Sequence, residues 1–304
     1  MATMLPEDGQ RERTGRRGAV ELNRRTVLLT GGGVALAGLA AAGTWALHGN
    51  SDTAASGRTP SSMAPTSPSP FSPSPTDPAQ ATSTRNDHVD LIGPGATVVF
   101  QGDSITDAKR DRSITAPNKG PGLGSGYVHM VVSTYLSEHP AAKSTFYNRG
   151  ISGDIVSRVR RRWDKDTAAL RPDLVSILIG INDFWRTKRL KGYRGTPAIY
   201  HRELVDLLDH VGHTLPEARV VLCVPFVLDT GVVKEGWRAD LAPYQQTVRA
   251  QAAHRNLVMV DFQEMFDTAG ASKPPSHWSA DGIHPTPAGA ALMARTWLAR
   301  VAGR

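Results

Sequence analysis

Short apolar, strand-like runs recur along the chain at 97–101, 144–148, 174–180, 219–225 and 257–261. Runs of this kind suit strands buried on both faces rather than strands with one wet side. Between them lie stretches with helical periodicity at 126–138, 155–170, 197–214 and 240–254. A last helix is predicted to open at Thr286 as N-cap with Pro287 in the first helical position, and to run towards Arg300. Strand and helix alternate without an internal repeat. The pattern therefore predicts an α/β fold, a single doubly wound α/β/α sandwich around a five-stranded parallel sheet.

Such sheets bind ligands beyond the carboxyl ends of their strands. The first apolar run, in TVVFQGDSITDAKRDR, stops at Gly102-Asp103-Ser104, three residues that are also ordinary turn formers. The fold changes their weight, because Ser104 then lies past the end of the first strand. Gly153 follows the second strand in NRGISGD, and Asn182 follows the third in ILIGIND. Asp281 and His284, in DGIHP, precede the last helix. A serine hydroxyl needs a base to take its proton, which suits His284. An imidazole needs a group that fixes its tautomer and stabilises its cation, which suits Asp281. The backbone N–H groups of Ser104 and Gly153 and the side-chain amide of Asn182 are candidate donors to an oxyanion.

Composition divides the chain before any fold is considered. Residues 11–25 hold six arginines, ending in the adjacent pair Arg24-Arg25, and are followed by the uncharged stretch 26–47. A basic segment ahead of a Gly/Ala-rich apolar one is the layout of an export leader, here residues 1–49, and the arginine pair resembles a twin-arginine signal. An uncleaved membrane anchor is the alternative reading. Residues 50–85 are rich in Ser, Thr and Pro, with seven prolines from Pro60 to Pro78, and read as a disordered, semi-rigid linker. Residues 86–304 then form the folded domain. Its 27 Lys and Arg against 22 Asp and Glu give only a mild excess, with no aromatic-spaced basic stripe, so nucleic acid is not an expected partner. The cluster from Arg158 to Arg162 reads as a solvated helix face. Cys223, the one cysteine, sits in an apolar run and reads as a buried structural thiol.

GDS in GDSIT, Gly153 of GISGD, Asn182 of GIND and Asp281/His284 of DGIHP resemble the four blocks of the SGNH, or GDSL, hydrolases, in that family's order. The longer stretches GDSITDAKR, GLGSGYV, NRGISGD, RPDLVSILIGINDFWR and DGIHP are similar more narrowly to its acetylxylan-esterase branch. The resemblance implies a flavodoxin-like SGNH sandwich and a serine ester hydrolase that removes acetyl groups from xylan or xylo-oligosaccharides, without metal or cofactor. It implies Ser104, His284 and Asp281 as the catalytic triad, with Ser104, Gly153 and Asn182 as the oxyanion hole. The expected partner is an acetylated saccharide or another small acyl ester. The membrane enters only through an uncleaved N-terminal segment, and an oligomer stays open.

Other readings are weaker. G-x-S-x-G is missed by one residue at both Ser104 and Ser152, which argues against a nucleophile elbow. Gly120, Gly122, Gly124 and Gly126 lack the Gly-Lys-Ser/Thr of a phosphate loop and read as a flexible border of the site. No HExxH or paired cysteines suggest a metal site. Trp185 and Trp278 are candidate sugar platforms, with core packing as the alternative, and His277 is a candidate for the border of the pocket. A lipid esterase of the same family is the runner-up, disfavoured by the absence of a long apolar lid segment. A non-catalytic carbohydrate-binding domain on a stalk has no need of His284 beside Asp281.

Overall fold

A computed structural model of the chain describes residues 90–193 and 195–303. The leader and linker readings, 1–49 and 50–85, lie outside the described residues. Five parallel strands, β1 (Thr97–Gly102), β2 (Thr145–Asn148), β3 (Leu174–Leu178), β4 (Arg219–Val224) and β5 (Val258–Asp261), form one sheet in the order β2-β1-β3-β4-β5. Ten α-helices accompany them among the described residues: α1 (Ser104–Asp107), α2 (Gly120–Leu123), α3 (Tyr127–Glu138), α4 (Val156–Asp166), α5 (Ile181–Arg189), α6 (Pro197–Thr214), α7 (Trp237–His254), α8 (Phe262–Gly270), α9 (Pro275–Trp278) and α10 (Pro287–Val301). The five expected strands and five expected helical stretches are all present, with ends shifted by a few residues.

The sheet is dry. Every residue of β3 is buried, and the strand aligns Leu174 with Val98 of β1 and with Arg219 of β4. One layer is α3 with α10, where Phe100 of β1 meets Tyr127 and Trp297 at ring-centroid distances of 6.0 and 5.0 Å. The other layer sets α4, α6 and α7 side by side. Trp163 of α4 donates from Nε1 to Thr214 Oγ1 of α6 at 3.1 Å, and Tyr200 of α6 meets Tyr244 of α7 at 5.2 Å. Each fully buried large side chain of this kind contributes about 1.5–3 kcal/mol of transfer free energy. Helix α10 starts as expected, with the Thr286 hydroxyl accepting from the Gly289 N–H at 3.2 Å and Pro287 in the first position.

The chain leaves β1 in one direction, towards β2, and fills the other side of the sheet with β3, β4 and β5. The switch point therefore falls between β1 and β3, and their carboxyl ends border a crevice. Gly102 closes β1 there because a Cβ would collide with the Leu178 carbonyl of β3 and with Thr106.

The arginine cluster departs from its expected role. Arg158 and Arg161 are exposed, but Arg162 turns inward. Its guanidinium reaches Asp154 at 2.8 Å, Asp166 at 3.2 Å and the carbonyls of Arg149 and Gly102 at 2.8 and 3.3 Å. It thus ties the end of β1 to the loop after β2. Cys223 is buried as expected, and burial pushes its thiol up to about 12, which leaves it no thiolate at neutral pH.

Candidate active site

Ser104 is the first residue of α1. The buried Asp103 caps that turn, its carboxylate accepting the Ile105 N–H at 3.0 Å, and this holds the serine at the end of β1. Ser104 Oγ lies 2.9 Å from His284 Nε2, across 180 residues of sequence. His284 Nδ1 lies 2.7 Å from Asp281 Oδ2. The other carboxylate oxygen, Oδ1, accepts the backbone N–H groups of Ile283 at 2.9 Å and His284 at 2.7 Å, so the Asp281 side chain also shapes the loop that carries the imidazole. Ser279 supports the same loop, its hydroxyl 2.8 Å from the His284 carbonyl oxygen and 3.2 Å from Asp281 Oδ1.

Burial alone would raise the Asp281 carboxyl, but the His284 ring and the N–H groups of His284 and Ile283 overcome it and hold it below the usual carboxylate range. An ionised carboxylate at Nδ1 favours the tautomer with its proton there. Nε2 is then free to accept the Ser104 proton.

The loops after β2 and β3 meet beside this pair. Asn182 is not in a loop, as its place after a strand suggested; it occupies the first turn of α5, with Gly180 before it at φ +131°. Its Nδ2 donates to the Asp154 carbonyl at 3.0 Å, which leaves a second amide hydrogen for a ligand. Arg186, one turn on, donates from Nη2 to the Gly153 carbonyl at 2.5 Å. Gly153 takes φ +81°, and its N–H has no partner among the described residues. Asp107 ties the segment after β1 to the loop after β2 by accepting the Ser152 N–H at 2.8 Å, and it pairs with Arg112.

Two further carboxyls lie beneath these donors. Burial pushes Asp103 up to about 7, against the Ile105 hydrogen bond and helped by repulsion from Asp183 and Asp154. Burial also pushes Asp183 up to about 7, against its hydrogen bond from the Val156 N–H and helped by repulsion from Glu203. One oxygen of each has no hydrogen-bond partner among the described residues. A folded value near 7 against 3.8 unfolded means that the folded state holds protons the unfolded chain has released, so stability falls as pH rises through that window. Asp183→Asn keeps an acceptor for Val156 and removes the charge. Its melting temperature, relative to the wild type's, is expected to be higher at about pH 8 than at about pH 5. The same difference at both pH values would contradict a protonated Asp183.

The tryptophan expectations fare differently. Trp278 is 9% exposed and packs in the core with its ring edge-on to His277 at 4.6 Å. It presents no open face and is not a sugar platform in this structure. Trp185 is half-buried against Trp237, with the Arg189 guanidinium over its ring at 5.4 Å. A cavity of about 990 Å³ opens on Ser104 and His284; Trp185, Trp278 and His277 do not line it, whereas Ser125 and Gly126 from the glycine-rich segment do. Among the described residues no cluster of three or more His, Cys, Asp and Glu side chains is placed to hold a metal ion.

Sequence reasoning passed over Asp103, Asp107, Asp183, Arg186 and Ser279. Asp103 and Asp183 stand inside the GDS and GIND blocks, and that adjacency was the available signal. The partners of Asp107, Arg186 and Ser279 are visible only in three dimensions.

The model of the GDSL-like lipase/acylhydrolase family matches residues 100–292. An acetylxylan esterase of Geobacillus stearothermophilus is 33% identical over 211 residues, spanning 69% of this chain and 95% of that one. A crystal structure of a candidate GDSL-like lipase from Parabacteroides merdae superposes with a TM-score of 0.67 at 38% identity, covering 69% of this chain and 97% of the other. The crystal structure of an acetylxylan esterase from Geobacillus stearothermophilus gives a TM-score of 0.63 at 32% identity, covering 69% and 96%. Variants of that esterase at one serine and one aspartate are described as catalytic mutants, and the two positions lie nearly as far apart in sequence as Ser104 and Asp281 do here.

Proposed function

The chain belongs to the GDSL-like lipase/acylhydrolase family and is a carboxylic ester hydrolase; from that premise we propose that it removes acetyl groups from O-acetylated carbohydrate, such as xylan or xylo-oligosaccharides, through Ser104, His284 and Asp281. The observation that carries this reading is the 2.9 Å approach of Ser104 Oγ to His284 Nε2, with Asp281 2.7 Å from the other ring nitrogen.

In this reading Ser104 Oγ attacks the acetyl carbonyl while His284 takes its proton. Negative charge gathers on the carbonyl oxygen, where the N–H groups of Ser104 and Gly153 and the Asn182 amide donate to it. The imidazolium returns its proton to the departing sugar hydroxyl, leaving an acetyl ester on Ser104. Water, deprotonated by His284, then attacks this ester and releases acetate and the free serine. Asp281 stays ionised throughout and stabilises the imidazolium. Export, with residues 1–49 as a twin-arginine-type leader, belongs to the same proposal and is supported by sequence pattern alone.

A series of p-nitrophenyl esters and of acetylated xylo-oligosaccharides tests the reading. Acetyl esters are expected to give the highest kcat/KM, falling as the acyl chain lengthens, with acetate released from the oligosaccharides. A maximum at long acyl chains would make the protein a lipid esterase instead.

A further inference from the structure

The cavity over Ser104 carries cations that the ester chemistry does not use. From Ser104 and His284 it extends to Lys109, Arg110 and Arg112. Arg110 is only 8% exposed, yet it lines this space. Its Nε donates to the Gly150 carbonyl at 2.9 Å. Among the described residues its two terminal nitrogens have no hydrogen-bond partner, and no carboxylate lies within ion-pairing distance. Asp107 is the carboxylate best placed to neutralise it, but that group is committed. Asp107 accepts the Arg110 backbone N–H at 3.2 Å and the Ser152 N–H, and it pairs with Arg112. Burial brings the Arg110 guanidinium down to about 10, with Asp107 opposing and Arg149, Arg112 and Arg162 adding repulsion. An under-paired charge in such a place is costly unless a ligand supplies the missing acceptor.

Chemistry narrows that ligand. Two parallel N–H donors in a plane match the two oxygens of a carboxylate. Lys109 adds a second cation at the rim, exposed and without an ion-pair partner among the described residues. Three cations in the wall face the carboxylates of Asp107 and Asp111, so a single negative charge balances the lining. Cavities of this size hold drug-sized ligands, which leaves room for an acetylated ring and a neighbour.

We propose that Arg110, assisted by Lys109, anchors a carboxylate carried by the saccharide, so that the preferred substrates are O-acetylated sugars bearing a uronic acid on the same or the adjacent ring. The proposal rests on the esterase reading of Ser104 for its substrate. The anion site itself stands on Arg110.

The test has a turnover arm and a binding arm, both on the full chain. In the first, kcat/KM is compared for a mono-O-acetylated methyl glucuronoside and for the matching acetylated methyl glucoside, in which CH2OH replaces the carboxylate. A charge-assisted pair of this kind predicts a preference for the uronate of roughly tenfold to a hundredfold. That ratio is expected to fall towards one in Arg110→Gln and to recover in part in Arg110→Lys, which restores the charge without the fork. Equal rates in the wild type, or a preference that survives Arg110→Gln, would overturn the proposal. In the second arm, titration calorimetry compares unacetylated methyl glucuronoside with methyl glucoside on the wild type, so the result does not depend on how a variant folds. Tighter binding of the glucuronoside supports the anchor, and equal binding overturns it. A glucose 6-sulfate glycoside bound as tightly as the glucuronoside would overturn the assignment to carboxylate. Uronate binding without turnover of any acetyl ester would remove the esterase reading and keep the site; turnover without uronate preference would do the reverse.

Discussion

Ser104→Ala is expected to abolish turnover of acetyl esters almost completely, with kcat falling by about 10⁶, the scale seen when the serine of a protease triad is removed. The alanine leaves His284 and Asp281 in place but takes away the nucleophilic oxygen held 2.9 Å from the imidazole. Ser104 is partly exposed and its hydroxyl is hydrogen-bonded, among the described residues, to His284 at 2.9 Å, so the fold should be indifferent to its loss. The melting temperature should therefore stay close to the wild type's while activity disappears. The Kd for an acetyl ester, measured on the uncleaved substrate, should remain in the range of the wild type's KM. A double variant Ser104→Ala/His284→Ala should be no worse than the single, because two residues that act on one step do not lose rate additively. Residual activity above about one part in a thousand, from a protein free of wild-type contamination, would place the nucleophile elsewhere.

Asp281→Asn carries the second-largest expected loss, about 10⁴ in kcat. The substitution is nearly isosteric. The Asn oxygen can still accept the Ile283 and His284 N–H groups that Oδ1 accepts now, at 2.9 and 2.7 Å, so the loop should keep its shape. The amide nitrogen would then face His284 Nδ1 as a donor. That pairing places the ring proton on Nε2, aimed at Ser104 Oγ, and a protonated Nε2 cannot take the serine proton. The base is lost through its tautomer and not through its position. Asn182→Ala should behave differently: it deletes a donor to charge that forms only in the transition state, and about 10²–10³ in kcat is expected with KM nearly unchanged. If Asp281→Asn keeps more than about a tenth of the wild-type kcat, Asp281 shapes the loop and does not orient the base. A tenfold rise in KM at constant kcat for Asn182→Ala would make that residue a substrate contact.

The parts of this structure that are legible in the sequence share a physical reason. β1, β3 and β4 are mostly apolar, and a strand buried on both faces is the one element that such a run serves in an alternating chain. Helix α10 announces itself by Thr286 and Pro287, whose roles are fixed by local backbone chemistry. Helix α5 is hidden because ILIGIND reads as a strand running into a polar turn. Its helical character comes from burying Ile181 and Phe184, the latter against Trp237 and Tyr244 of α7, which is tertiary. The site divides in the same way. Ser104, Asp281 and His284 are visible as residue types that chemistry requires, the serine past the end of β1 and the other two in the loop before α10. Arg162 reads as a solvated charge because its partners, Asp154 and the carbonyls of Arg149 and Gly102, are separated from it in sequence. Arg110 looks like one more charge in a polar loop until the fold buries it against Gly150. Trp278 errs in the opposite sense: it sits close in sequence to the loop that carries Asp281 and His284, yet its ring is spent on the core.

Covalent labelling tests the central claim most directly. The full-length protein is treated with an organophosphonate until its esterase activity is lost, digested, and the modified peptide is mapped by mass spectrometry. The geometry predicts one adduct, on Ser104, whose formation tracks the loss of activity, and none when His284→Ala is treated in the same way. Ser125 and Ser152 line the same cavity and serve as internal controls. An adduct on either of them, with Ser104 unmodified, would contradict the account.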